Sequence, residues 1–207
     1  MTGAAGQARI IVATRNPGKL AELRRILAAA EVGVTVDDLQ DVPDMPEVAE
    51  TGRTFRENAL LKARAVAAFT GLPAVADDSG LCVDALNGMP GVLSARWSGR
   101  HGDDKANLDL LLGQLAYVPA GRRQAHFACA AALVLPTGGE HVAEGSVYGR
   151  LAEAPRGSNG FGYDPIFMPD GHQQTTAELS PAEKDKNSHR GRALRALAPV
   201  IAALLGG

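Results

Sequence analysis

Asp77-Asp78-Ser79-Gly80 stands where a short apolar run, Pro73 to Ala76, stops. Two adjacent carboxylates repel each other unless a cation or hydrogen-bond donors compensate them. Magnesium favours one or two carboxylates plus substrate phosphates, so the pair reads either as a metal site or as a solvated turn. At the carboxyl end of a buried strand the pair would sit where open α/β sheets bind ligands. Glu50, in an acidic loop that ends at Thr51, is a candidate second ligand. Thr14-Arg15-Asn16-Pro17-Gly18-Lys19 joins an apolar run to a helical pattern. Free amides at a helix N-terminus, with a lysine beside them, form an anion site. It is not a P-loop, because Ala13 and Leu20 occupy the places of its first glycine and its Ser or Thr. Spacing alone admits a phosphate site or a plain strand-to-helix connection.

Two further stretches carry chemistry. Gly157-Ser158-Asn159-Gly160-Phe161-Gly162-Tyr163-Asp164-Pro165 is glycine-rich with two aromatics. Phe161 is read either as tucked into the core or as an exposed face on which a base stacks, worth roughly 1–3 kcal/mol. Lys184, Lys186, His189, Arg190 and Arg192 form a basic run. It is either a solvated face or a set of donors for a keto oxygen or phosphates. Lys62 lies on a helical pattern, where a surface position is the default, and His101, His126, His141 and His172 show no ligand spacing.

Several elements must position these groups. Arg9–Thr14 reads as a buried strand, and Leu20, Leu23, Ile26 and Leu27 share one face of the helix after it. Val32–Val36 is β-branched and reads as a second strand, and 39–51, with two prolines and several acidic residues, as a loop. Thr54 and Glu57 form a capping box opening a helix through Phe69, which Gly71 and Pro73 end. Short strands at Ala74–Ala76 and Leu81–Val83 are expected on either side of the acidic tetrad. Asp103 caps a helix with Leu108, Leu111, Leu112 and Leu115 inward. Gln124–Leu135 reads as a central strand, Thr137-Gly138-Gly139 as a hairpin turn into His141–Tyr148, and His189–Leu205 as a last helix that Pro199 kinks or interrupts. Helix-connected and hairpin-connected strands together predict a mixed sheet in an α/β or α+β protein.

Composition narrows the function classes. A chain of 207 residues with 45% hydrophobic and 21% charged residues is ordinary for a globular protein. A net charge of −2 gives no global attraction to nucleic acid or to an anionic membrane, so a polyanionic ligand requires local cations or a metal. Cys82 and Cys129 form no zinc spacing and are expected as buried thiols, which suits a cytoplasmic setting. Met1–Arg15 lacks the pattern of a secretory signal, and the longest apolar stretch, Phe127–Leu135, is too short to span a bilayer.

In combination the motifs resemble the inosine triphosphate pyrophosphatase family over nearly the whole chain. The matching residues are Thr14, Asn16 and Lys19; Glu50-Thr51-Gly52 with Phe55, Glu57, Asn58 and Lys62; and Ala76-Asp77-Asp78-Ser79-Gly80-Leu81. They continue through Gly88, Pro90-Gly91, Ser94-Ala95-Arg96, Phe161 to Pro165 and Ser188-His189-Arg190-Gly191. The resemblance implies one α/β domain with a mixed, strongly twisted central sheet flanked by helices, and two lobes with a cleft between them. It also implies a homodimer, dependence on Mg²⁺, and cleavage of non-canonical purine nucleoside triphosphates to monophosphate and pyrophosphate. By position, Thr14, Asn16, Lys19 and Lys62 would hold phosphates, and Glu50 and Asp78 would bind metal. Asp78 would also be catalytic, orienting the attacking water. Ser79, Phe161, Gly162, Tyr163 and Asp164 would contact substrate, Phe161 by stacking, and Lys184, His189 and Arg190 would face the base. A regulatory module that binds a triphosphate without hydrolysis has no use for converging acidic residues. A pyrophosphatase for other modified nucleotides shares the anion loop and the acids. An aromatic content of 4% and the net charge weigh against a nucleic-acid-binding module.

Overall fold

The computed structural model describes residues 8–180, 183–184 and 188–206, and Lys186 of the basic run lies outside them. The strands are β1 (Ala8–Val12), β2 (Val34–Asp38), β3 (Ala74–Val83), β4 (Gln124–Val134), β5 (Glu140–Leu151) and β6 (Phe167–Pro169). The helices are α1 (Pro17–Ala29), α2 (Phe55–Thr70), α3 (Asp104–Gln114) and α4 (His189–Leu205). All six strands join one sheet in the order β2-β1-β3-β4-β5-β6. β1 pairs parallel with β2 and β3, while β5 pairs antiparallel with β6, so the sheet is mixed as the sequence predicts.

The principal departure from the sequence reading is β3. Two short strands around an acidic turn are expected, yet one ten-residue strand runs straight through Asp77-Asp78-Ser79-Gly80. Strand pleating points successive side chains to opposite faces, so the adjacent carboxylates separate. Asp77 meets Lys19 of α1, and Asp78 meets Asn58 and Lys62 of α2. With each carboxylate compensated from its own side, the repulsion that would end the strand is absent. β6 carries no sequence signal, since three residues ending in proline show no periodicity. Pro199 lies within α4, which continues past it to Leu205 without interruption.

The described residues fall into two compact units. One holds the residues up to Asp78, Ala130–Glu144 and those from Gly191 onward; the other holds Ser79–Cys129 and Gly145–Arg190. In the first, Ile11, Ala74 and Ala76 of the sheet, with Ala13 just past β1, pack with Ala59, Ala63, Val66 and Ala67 of α2. Alanine on both surfaces lets helix and strand approach closely, which brings polar side chains at the helix start within reach of β3. Thr54 fixes that start by accepting from Glu57 N–H at 3.1 Å, a cap worth about 1 kcal/mol. Glu57 reaches back to Arg53 N–H at 2.5 Å, one residue earlier than in the usual capping box. In the second unit Leu81, Val83, Leu108, Leu111, Leu115, Ile166 and Phe167 form the core, and Asp103 caps α3 as expected. No helix among the described residues is long and apolar enough to cross a membrane.

Candidate active site

In the first unit the acidic loop and the end of the β3 segment converge on α2. Lys62 Nζ donates to Glu50 Oε1 at 2.8 Å and to Asp78 Oδ1 at 3.3 Å. Lys62 is therefore not a solvated helix residue; its side chain is only 14% exposed. Burial alone would lower the Lys62 pKa, but Asp78, Asp77 and Glu50 outweigh it and hold the ammonium above its ordinary value. Burial pushes the Asp78 carboxyl above the usual carboxylate range, against the pull of Lys62, and Glu50 pushes the same way. Asn58 Nδ2 donates to the other oxygen, Asp78 Oδ2, at 3.0 Å. Lys19 Nζ lies 3.0 Å from Asp77 Oδ2.

Hydrogen bonds within the chain organise the loop before α1. Asn16 is the N-cap, and its Oδ1 accepts from Gly18 N–H at 2.9 Å and Lys19 N–H at 3.2 Å. Thr14 Oγ1 accepts from Asn16 N–H at 3.1 Å. Two amides that the sequence reading offers to a phosphate are thus occupied by the cap. Side-chain donors in this stretch include the Thr14 hydroxyl, the Asn16 amide and the Lys19 ammonium.

Three carboxylates (Glu50, Asp77, Asp78) meet two ammonium groups (Lys19, Lys62) in a largely buried cluster. Carboxylate oxygens gathered from a loop and a strand are the donor type that a hard divalent cation takes. No group of three or more His, Cys, Asp or Glu side chains gathers as a metal cage among the described residues. Magnesium does not require one, because it is commonly held by one or two carboxylates and completed by phosphates and water. Glu50 and Asp78 fit that role, and each Asp78 oxygen keeps a lone pair beyond the bonds already made.

The second unit carries the aromatic loop. Phe161 is 42% exposed, with Lys184 Nζ 5.1 Å and Arg190 Cζ 5.8 Å from its ring centroid. Both distances lie within cation–π range. Arg190 also donates to Ser79 Oγ at 3.0 Å. Asp164 is 4% exposed and orders the loop, accepting from Phe161 N–H at 2.8 Å, Lys184 Nζ at 2.5 Å and Thr176 Oγ1 at 2.9 Å. A side chain at Gly160, where φ is +81°, would collide with Asp164 and sit 2.8 Å from Lys184 Nζ. Gly162 N–H donates to Asp104 Oδ2 at 2.8 Å. Tyr163 is buried, its hydroxyl donates to the Ser94 carbonyl at 2.9 Å, and burial raises its pKa. Its ring therefore serves the core. His189 stacks on Phe127 with centroids 4.8 Å apart and planes at 10°.

The structure thus brings together Thr14, Asn16 and Lys19 in one loop, and Glu50, Lys62 and Asp78 in one cluster. It brings Phe161, Asp164, Lys184, Arg190 and Ser79 together in another. Sequence reasoning assigned no role to Asn58, Asp104 or Phe127. Asn58 had a signal available, since it lies four residues before Lys62 and so shares its helix stripe.

Fold and site together define a mixed α/β protein with a buried carboxylate–lysine cluster in the first unit and, in the second, an aromatic ring flanked by cations. The Ham1 family model matches residues 10–200, and the chain belongs to that family. It is 61% identical over 198 residues to the dITP/XTP pyrophosphatase of Streptomyces coelicolor, covering 96% of this chain and 99% of that protein. It is 63% identical to the protein of that name from Nocardia farcinica, covering 95% and 96%. The crystal structure of a nucleoside-triphosphatase / dITP/XTP pyrophosphatase from Mycobacterium abscessus is 61% identical with a TM-score of 0.76, covering 92% of this chain and 99% of that one. The HAM1 protein of Coxiella burnetii is 41% identical with a TM-score of 0.86, covering 95% and 99%.

Proposed function

We propose that the chain hydrolyses non-canonical purine nucleoside triphosphates (ITP, dITP and XTP) to the monophosphate and pyrophosphate, keeping them out of DNA and RNA. The observation that carries this reading is the convergence of Glu50 and Asp78, far apart in sequence, on Lys62. A bound Mg²⁺, held by Glu50 and Asp78, would neutralise polyphosphate charge and stabilise the departing pyrophosphate. Thr14, Asn16 and Lys19 bind the triphosphate through side-chain donors. Lys62 keeps the acidic groups paired and adds positive charge to the anion site. Asp78 orients the attacking water through a lone pair left by Lys62 and Asn58, and acts by placement more than as a strong base.

The base is selected by the direction of hydrogen bonding. Hypoxanthine and xanthine present a 6-keto acceptor where adenine presents an amino donor. Arg190 and His189 supply donors, and Phe161 supplies the stacking face with Lys184 beside it. The family resemblance further supports a homodimer, and two cysteines that form no disulfide suit a cytoplasmic setting.

The test is incubation with inosine triphosphate and Mg²⁺ and identification of the product. Pyrophosphate is expected. Release of orthophosphate would replace this reading with γ-phosphate removal, and no release would replace it with a binding module. The variant Asp78→Asn is expected to lose turnover by at least about 10³-fold while melting within a few degrees of the parent. Near-normal hydrolysis by that variant removes Asp78 from the mechanism.

A further inference from the structure

We infer that Asn58 is a positioning residue that links the Glu50 loop to Asp78 and sets the separation and orientation of the two carboxylates. The inference rests on the hydrolase reading above and extends it to a residue that cannot touch substrate, because Asn58 is fully buried. Its amide works in both directions. Nδ2 donates to Asp78 Oδ2 at 3.0 Å, and Oδ1 accepts from Gly52 N–H at 2.8 Å. Gly52 is two residues beyond Glu50, so one planar group holds both acidic segments in register.

Side-chain chemistry at this position is tightly restricted. Aspartate has the same shape but no donor for Asp78, and it would set a fourth carboxylate beside Glu50, Asp77 and Asp78. Alanine leaves Gly52 N–H and Asp78 Oδ2 without this partner, and a buried polar group left unsatisfied is costly. Serine donates or accepts through one oxygen and cannot span both partners. The close approach is also built into the loop. A Cβ at Gly52 would lie 2.6 Å from Asn58 Oδ1 and 2.9 Å from Asn58 N, so only glycine lets the loop reach this amide. The position follows from the helix start. The Thr54 cap fixes the first turn of α2, and Asn58 falls one turn later on the stripe that continues to Lys62.

Groups that orient metal ligands typically contribute 10–100-fold to metal affinity or activity. The experiment compares Asn58→Ala and Asn58→Ser with the parent in three readouts. These are kcat and KM for pyrophosphate release from inosine triphosphate, the Mg²⁺ concentration giving half-maximal rate, and the Mg²⁺-induced rise in melting temperature without nucleotide. The expected result is a kcat loss of about 10–100-fold with nucleotide KM changed less than about threefold. The half-maximal Mg²⁺ concentration should rise about tenfold, and the Mg²⁺-induced thermal shift should shrink. Asn58→Ser should fall between the parent and Asn58→Ala. Unchanged kcat and Mg²⁺ requirement in either folded variant overturns the inference, as does a loss of melting temperature with parental kcat per folded molecule. If the parent releases no pyrophosphate, the hydrolase reading fails by itself. The nucleotide-free thermal shift then still decides Asn58: loss of the Mg²⁺ response in the variants supports its role, and an equal response refutes it.

Discussion

Replacing Lys62 with Met tests whether the ammonium is the counter-ion that makes the acidic cluster tolerable. The substitution keeps a long, flexible side chain and removes only charge and donors. Lys62 Nζ lies 2.8 Å from Glu50 and 3.3 Å from Asp78, so each attraction is about 5–6 kcal/mol at an effective dielectric near 20. Desolvation cancels most of that gross attraction, which is why a buried ion pair adds little net stability over an apolar isostere. Removing one partner alone is different. It leaves Glu50 and Asp78 with their burial cost and without this cation, an imbalance of about 3–5 kcal/mol. For a chain of this size each kcal/mol shifts the midpoint by about 2–4 °C, so a fall of roughly 6–20 °C is expected. Thermal unfolding followed by circular dichroism, at neutral pH and without divalent cations, measures it. Adding Glu50→Gln should recover part of the deficit by removing one of the two carboxylates that Lys62 pairs. A Lys62→Met midpoint within one or two degrees of the parent refutes the reasoning, and so does a double variant no more stable than the single one.

Two further outcomes follow from the geometry. Arg190→Met removes a donor offered to the 6-keto oxygen, so kcat/KM for inosine over adenosine triphosphate should fall by about 5–150-fold, the range for one unsatisfied buried group. An unchanged ratio in steady-state kinetics would place base selection elsewhere. Arg64 binds Glu140 in a two-pronged pair at 2.6 and 2.8 Å, and its hydrogen bond holds the Glu140 pKa below the ordinary value. A depressed carboxylate stabilises the fold above its unfolded-state pKa and loses that contribution as pH falls through the folded value. Because the pair is exposed, Glu140→Gln should cost only about 0.5 kcal/mol at pH 7, and the gap to the parent should close as pH drops below 4.5. A gap independent of pH in urea titrations would contradict the assignment.

The parts of the fold that sequence displays are those whose signals are local. Thr54, Glu57 and Gly71 mark the ends of α2 because capping is decided by residues within one turn. His189–Leu205 is legible because the apolar stripe repeats along the whole helix. β6 is hidden because it exists only through pairing with β5, Gly149 opposite Pro169 and Leu151 opposite Phe167, which no local pattern encodes. The same holds within the site. Phe161 and Tyr163 stand two residues apart in one glycine-rich loop, yet one is half exposed and the other buried. Composition treats them alike; tertiary contacts distinguish them, the Tyr163 hydroxyl meeting the Ser94 carbonyl and Phe161 lying beside Lys184 and Arg190.

The misreading of β3 carries the most physical content. Local chemistry argues that two aspartates end a strand, and in isolation they would. Here the pleat turns that liability into a division of labour, sending Asp77 to Lys19 and Asp78 to Asn58 and Lys62. A turn would leave both carboxylates free to swing in solvent, whereas a strand fixes each to within a hydrogen-bond length. Preorganisation of this kind is what an anion- and cation-handling site requires, because charge placed in advance need not be reoriented during reaction. The strand also runs on into Ser79, whose hydroxyl accepts from Arg190 in the second unit. One uninterrupted backbone therefore carries the acidic groups of one unit and a polar contact of the other on consecutive residues. An inserted glycine between Asp78 and Ser79 would invert the facing of every later β3 side chain while removing no side chain from the sequence. Such a variant should lose hydrolysis despite keeping every functional residue.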